Sequence, residues 1–67
     1  MMFKTFTAQY NGLTFKMEED YPEVGVYMYV FQGENCIEDI LQDTIDLCKE
    51  VALEKYGVPI DVWKKES

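Results

Sequence analysis

Alternation of apolar and polar positions dominates the first third of the chain. Apolar residues occupy every second position before Asn11-Gly12, and Leu13, Phe15 and Met17 continue the alternation after it. Asn-Gly is the dipeptide preferred by two-residue type I′ turns, and a period of two is typical of half-buried strands. The pattern therefore predicts a β-hairpin centred on this dipeptide.

A third alternating segment covers residues 24–31, after an acidic stretch in which Pro22 interrupts the strand pattern. Aliphatic residues occupy one side of this predicted strand. Three aromatic residues, Tyr27, Tyr29 and Phe31, occupy the other. The strand therefore has two apolar sides.

The following segment has the spacing of a one-sided helix. Asn35 is a suitable N-cap, and Glu38 stands three residues later, where a capping box places its partner. Apolar residues then recur at three- and four-residue intervals up to Tyr56. Gly57 and Pro59 are typical of a helix C-terminus. The sequence predicts one amphipathic helix over residues 35–56.

Residues 58–63 alternate again and predict a short edge strand, with residues 64–67 as a frayed tail. A chain of 67 residues has room for one core. We therefore predict a single α+β domain over residues 1–67, a two-layer βββαβ fold in which one amphipathic helix packs on one face of a small antiparallel sheet.

One helix covers one side of a sheet, so the aromatic row is expected on the open side. Trp63 and Phe3 are expected to join it. Tyrosine and tryptophan tolerate water and contribute strongly when a partner covers them. The row is interpreted either as a self-association or partner surface, or as strand-forming residues that stabilise the sheet alone.

Charge is the second feature. Thirteen acidic residues against six basic ones give a net charge of -7, which disfavours nucleic acid and favours a basic protein partner. The outer face of the predicted helix is acidic around one exposed leucine, and its proposed partner-binding residues are Asp39, Asp43, Asp46, Glu50, Leu53 and Glu54. The alternative is a solvated face that maintains solubility.

The sequence offers little for catalysis. It contains no histidine, and its only serine is Ser67. Cys36 falls in the first predicted helical turn and is the one candidate nucleophile, but Glu34 and Glu38 oppose thiolate formation. Cys48 falls on the inward stripe. We expect no enzymatic activity, no catalytic residue and no cofactor.

An acidic cluster precedes the third strand, formed by Glu18, Glu19, Asp20 and Glu23. It lacks the alternating spacing of a calcium loop, so no metal site is predicted. The first residues include Lys4 and lack a signal-peptide core, and no run approaches membrane-spanning length. A cytoplasmic protein with reduced cysteines is expected.

The run from Gly25 into the predicted helix resembles the core of HicB-type antitoxins, in which a Gly-aromatic strand leads through a Gln-Gly turn into an acidic helix. The matching residues are Gly25, Tyr27, Gln32, Gly33, Ile37, Glu38, Asp39 and Leu41. The resemblance implies a βββαβ domain and a binding role.

The leading hypothesis is therefore a small non-enzymatic interaction protein of antitoxin, immunity or inhibitor type, which forms a homodimer or binds a basic protein. The alternatives are a small-molecule-binding or minor catalytic domain with its site on the open sheet face, and acidic mimicry of DNA.

Overall fold

The computed structural model describes residues 3–66. Within these residues, one antiparallel sheet has the strand order β4-β3-β2-β1-β5, and a single α-helix packs on it. The elements are β1 (Thr5–Tyr10), β2 (Leu13–Glu19), β3 (Val26–Gln32), β4 (Asn35–Gln42), α1 (Ile45–Tyr56), a 3-10 turn (Ile60–Val62) and β5 (Lys64–Lys65). The predicted two-layer α+β fold is confirmed, with one strand more than expected.

The first hairpin forms as predicted. Tyr10 pairs with Leu13, and both turn residues have positive φ, 54° at Asn11 and 79° at Gly12. These are the backbone conformations that a type I′ turn requires. The third strand is also confirmed, although it begins at Val26.

The predicted start of the helix is wrong. Residues 35–42 form β4, which pairs with β3 across the two-residue Gly33-Glu34 turn, and α1 begins at Ile45. Thr44 is the N-cap, and its Oγ1 accepts a hydrogen bond from the Leu47 N–H at 3.1 Å. The helix that the antitoxin resemblance implied at its acidic positions is thus a strand here.

The C-terminal end of the helix is as predicted. Gly57 has a φ of 74°, and its N–H donates to the carbonyl of Leu53 at 2.9 Å. The bond from Gly57 to Leu53 is that of an αL-type cap, and the Val58 N–H also donates to the carbonyl of Ala52.

The segment after Val58 differs from the prediction. Residues 60–62 form a 3-10 turn instead of a strand. Lys64 and Lys65, predicted to fray, pair with Thr7 and Phe6 of β1, and the Glu66 N–H donates to the Thr5 carbonyl at 2.7 Å. Ser67 of the predicted tail lies outside the described residues.

The core lies between α1 and one face of the sheet. Its buried members come from the first three strands, the helix and the segment after it: Ala8, Phe15, Met17, Val26, Met28, Val30, Cys48, Ala52 and Val58. The registers put the strand members of this set on one face. The opposite face has no helix over it among residues 3–66.

Candidate protein-binding surface on the open sheet face

The open face carries the predicted aromatic row along its third strand. Tyr27, Tyr29 and Phe31 alternate with buried Met28 and Val30, so all three project to the uncovered side. The Tyr27 and Tyr29 rings are stacked, with centroids 6.2 Å apart and planes 13° apart. Tyr29 and Phe31 follow with centroids 6.5 Å apart. The aromatics form a continuous strip that is only partly exposed.

Strand β4 widens this strip with aliphatic side chains. Leu41 lies directly opposite Tyr27 in the register and is 50% exposed. Ile37 lies at the register shift between β4 and β3, between the partners of Val30 and Phe31, and it is 49% exposed. Large apolar residues that adjoin one another on an uncovered face are a mark of interaction surfaces. Sequence reasoning missed both residues because it placed them on a helix.

Charges of both signs flank the centre of the strip. The register places Asp39 of β4 and Lys16 of β2 directly opposite Tyr29, on its two sides. Lys16 Nζ lies 3.2 Å from a carboxylate oxygen of Glu18, which occupies the next row beside Tyr27. Partial burial, followed by the Glu18 charge, raises the pKa of the Tyr29 phenol above its ordinary value of 10.0. The central tyrosine therefore stays neutral at physiological pH.

Trp63 does not belong to this surface. Its ring lies edge-on to Phe15, with centroids 6.1 Å apart, and Phe15 is fully buried under the helix. The prediction failed because the 3-10 turn ends the alternation that had assigned Trp63 to the open side. The indole Nε1 is buried and has no hydrogen-bond partner among residues 3–66. Phe3 is also elsewhere, since its ring packs edge-on against Tyr21.

The predicted acidic helix face is smaller than expected. Asp46, Glu50, Leu53 and Glu54 are exposed on α1. Asp39 instead lies on β4, and Asp43 lies in the connection before the helix, because the helix starts ten residues later than predicted. The remaining acids of α1 and the aromatic strip lie on opposite sides of the molecule.

Glu38, predicted as the capping-box partner of the helix, lies on the covered side of β4. It stands opposite buried Val30 in the register, and its carboxylate accepts hydrogen bonds from Lys55 and Tyr56 of α1. The Lys55 and Tyr56 hydrogen bonds lower the pKa of Glu38. This residue ties the helix to β4 and is not available to a partner.

Both thiols are free in the structure. Cys36 is exposed on β4 rather than in a helical turn, so no helix dipole acts on it. Cys48 is buried, and burial raises its pKa to about 11. Its Sγ donates to the carbonyl of Val26 at 3.5 Å.

Three members of the acidic cluster before β3 contact different partners. Glu18 pairs with Lys16, Glu19 accepts from the Lys4 N–H, and the Asp20 carboxylate accepts from the Tyr21 N–H. Over residues 3–66, no group of three or more histidine, cysteine, aspartate or glutamate side chains could hold a metal ion. No helix in the same range is long and apolar enough to cross a membrane.

The open face also has a concave region at its other edge. It is lined mainly by polar side chains from β1, β2 and the C-terminal segment, among them Thr7, Gln9, Thr14, Asp61 and Lys64. The aromatic strip does not line it. The strip therefore lies outside this concave region.

No protein-family model matches this chain, and the searches of curated proteins and of solved structures found no match either.

Proposed function

We propose that the chain is a non-enzymatic protein-binding module and that the open sheet face is its contact surface. One observation carries the proposal: the strip of Tyr27, Tyr29 and Phe31 runs along β3 on an uncovered face and continues into exposed Leu41 of the edge strand β4. Antitoxins, immunity proteins and small inhibitors are the functional class to which such a module would belong.

The chemistry of the strip supports a protein partner. Tyrosine combines a large apolar ring with a hydrogen-bonding tip, and it is enriched among the residues that dominate binding energy. The neighbouring Lys16, Glu18 and Asp39 supply charged groups at the border of the apolar strip. An apolar centre with a polar rim is the usual anatomy of a protein interface.

The acids of α1 have a separate role in this proposal. Asp46, Glu50 and Glu54 lie on the far side of the molecule from the strip, so they do not contact the partner that covers it. Their field acts at longer range and favours the approach of a basic protein to the helix side of the molecule, an effect that salt weakens.

Photo-crosslinking tests the proposal. Tyr29→p-benzoylphenylalanine keeps an aromatic group on the strip, and Tyr21→p-benzoylphenylalanine is the matched control at a tyrosine that is 53% exposed on the β2–β3 turn. We expect a discrete protein adduct from position 29 only. Excess unlabelled wild-type chain should abolish this adduct, whereas a Tyr29→Thr competitor should not. Identical adducts from both positions, or none from position 29, would contradict the proposal.

A further inference from the structure

The middle row of the open face has an asymmetric charge pattern. Asp39 and Lys16 both lie opposite Tyr29, one on each neighbouring strand. Strands are spaced about 4.8 Å apart, so the acidic and basic positions lie about 10 Å apart with the tyrosine midway between them. The row reads acid, aromatic, base across the sheet.

This pattern is complementary to itself under one symmetry operation. Suppose that two copies stack their open faces with β3 over β3, related by a two-fold axis parallel to the strands. The axis preserves the row but reverses the strand order, so β4 of each copy lies over β2 of the other. Asp39 of each copy then faces Lys16 of the other, and Tyr29 faces Tyr29.

The other in-plane axis gives the opposite result. A two-fold axis across the strands places each strand over its own counterpart. Asp39 would then face Asp39, and Lys16 would face Lys16. Like charges in contact across an interface are strongly unfavourable, so the charges select the axis parallel to the strands.

The apolar groups fit the selected arrangement. The three aromatic side chains of the two copies meet along the centre, and Leu41 lies over the methylene groups of Glu18 of the other copy. Facing sheets cross at about 30°, which keeps the central row in contact while the ends diverge. The row that carries Tyr29, Asp39 and Lys16 therefore contributes most of the contact between the two copies.

We propose that the partner of this face is a second copy of the chain, docked about a two-fold axis parallel to the strands with reciprocal Asp39–Lys16 pairs. The inference rests on the proposed function, because it assigns the occupant of the same surface. The three overlapping strands β2, β3 and β4, of about seven residues each, present roughly 350 Å² in projection, which is a small contact. Weak association, with dissociation in the micromolar to millimolar range, is expected for so small a contact between two copies that each carry a net charge of -7.

Charge reversal at the two positions tests the arrangement by sedimentation equilibrium from about 1 µM to about 1 mM. Asp39→Lys alone creates Lys–Lys contacts, and Lys16→Asp alone creates Asp–Asp contacts. Each should weaken self-association at least about tenfold. An equimolar mixture of the two variants should recover dimers, and a mass tag on one of them should show that these are heterodimers.

Two control variants make the same change of charge elsewhere. Glu50→Lys changes an exposed residue on the outer face of α1. Lys65→Asp changes an exposed residue of β5 that pairs with Phe6 of β1, on the covered side of the sheet. Neither should reproduce the tenfold loss. Far-ultraviolet circular dichroism should show the same fold for all four variants.

The remaining outcomes overturn the inference. A wild-type chain that stays monomeric up to the highest concentration would exclude the second copy, yet an adduct with a different protein from position 29 would leave the proposed function standing. If neither single charge reversal changes the dissociation constant of the dimer, this geometry is excluded, and pairing along the β4 edge is the arrangement to examine next. Monomers that also give no adduct from position 29 would remove both proposals.

Discussion

The carboxylate of Glu38, on β4, accepts a hydrogen bond from the phenol of Tyr56 in the last turn of α1. Lys55 donates to the same carboxylate, so one partly buried side chain joins the helix to the edge of the sheet. The contact places a charge on the covered face at a position where an apolar residue would be expected. This contact and the register shift opposite Val30 and Phe31 both interrupt the alternation of apolar and polar residues along β4.

Removing this carboxylate should weaken the packing of the helix on the sheet. We expect Glu38→Ala to lower the free energy of unfolding by about 1 kcal/mol, because Tyr56 loses its acceptor and Lys55 its charged partner. In a domain of this size the thermal midpoint should fall by about 4–8 °C. Glu54→Ala, on the exposed side of α1, is the control and should change the midpoint little.

The same contact predicts a pH dependence. The Lys55 and Tyr56 hydrogen bonds lower the pKa of Glu38 in the folded chain, so its contribution is present above the ordinary value of 4.5 and is lost as the pH falls through the folded value. Urea unfolding at pH 7 and pH 3 should therefore show a stability difference between wild type and Glu38→Gln that shrinks at the lower pH. A constant difference would contradict this assignment.

Gly25 should tolerate no side chain. Its φ is 111°, and a Cβ there would lie 2.3 Å from the backbone oxygen of Gln42. We expect Gly25→Ala to cost about 3 kcal/mol or more, since strain in φ adds to a clash with backbone. Gly12→Ala is the matched control, because Gly12 has a φ of 79° with open space around it, and about 1 kcal/mol is expected. Equal losses in denaturant titrations would show that the clash is relieved at little cost.

The Tyr29 phenol should ionise at higher pH than an ordinary tyrosine. Partial burial is the main cause, and the carboxylates of Glu18 and Asp39 act in the same direction. The 295 nm absorbance of wild type minus that of Tyr29→Phe should show a transition above pH 10.0. If the midpoint of this absorbance difference lies at or below pH 10.0, the open face is more hydrated than the structure indicates.

The two thiols should react at very different rates. Cys36 is exposed and should react with a disulfide reagent at the rate of a simple thiol at pH 7.5. Cys48 is fully buried with a pKa of about 11, so its labelling should require unfolding. Cys36→Ser should remove the fast phase and leave the slow one. Two fast phases would contradict the packing of Cys48 against β3.

Local signals in the sequence predict the first hairpin, the third strand and the end of the helix. Asn11-Gly12 specifies the first hairpin, and Gly57 with Pro59 specifies the end of the helix, because each requires particular backbone angles. The alternation around Tyr29 predicts which side of β3 is covered. These features depend only on near neighbours in the chain, so a sequence pattern contains them.

The rest depends on contacts between distant segments. The apolar residues of segment 35–42 have helical rather than alternating spacing, and the strand is stabilised by pairing with β3 and by the hydrogen bond that Tyr56 donates to Glu38. Trp63 was assigned to the wrong face because a single 3-10 turn reverses the direction of its side chain. The positions of Asp39 and Lys16 beside Tyr29 follow only once β4 is known to be a strand.

The strand order also determines the sequence of folding events. The first four strands pair with their immediate neighbours in the chain, whereas the pairing of Phe6 with Lys65 joins the two ends. Contacts between near neighbours form fast, and closing a long loop costs more entropy. The four-stranded meander is therefore expected to assemble first, with the attachment of β5 as the last step. Native-state hydrogen exchange should detect the detachment of β5. The free energy of opening measured at the Glu66 amide should be lower than at the amides of β2 and β3.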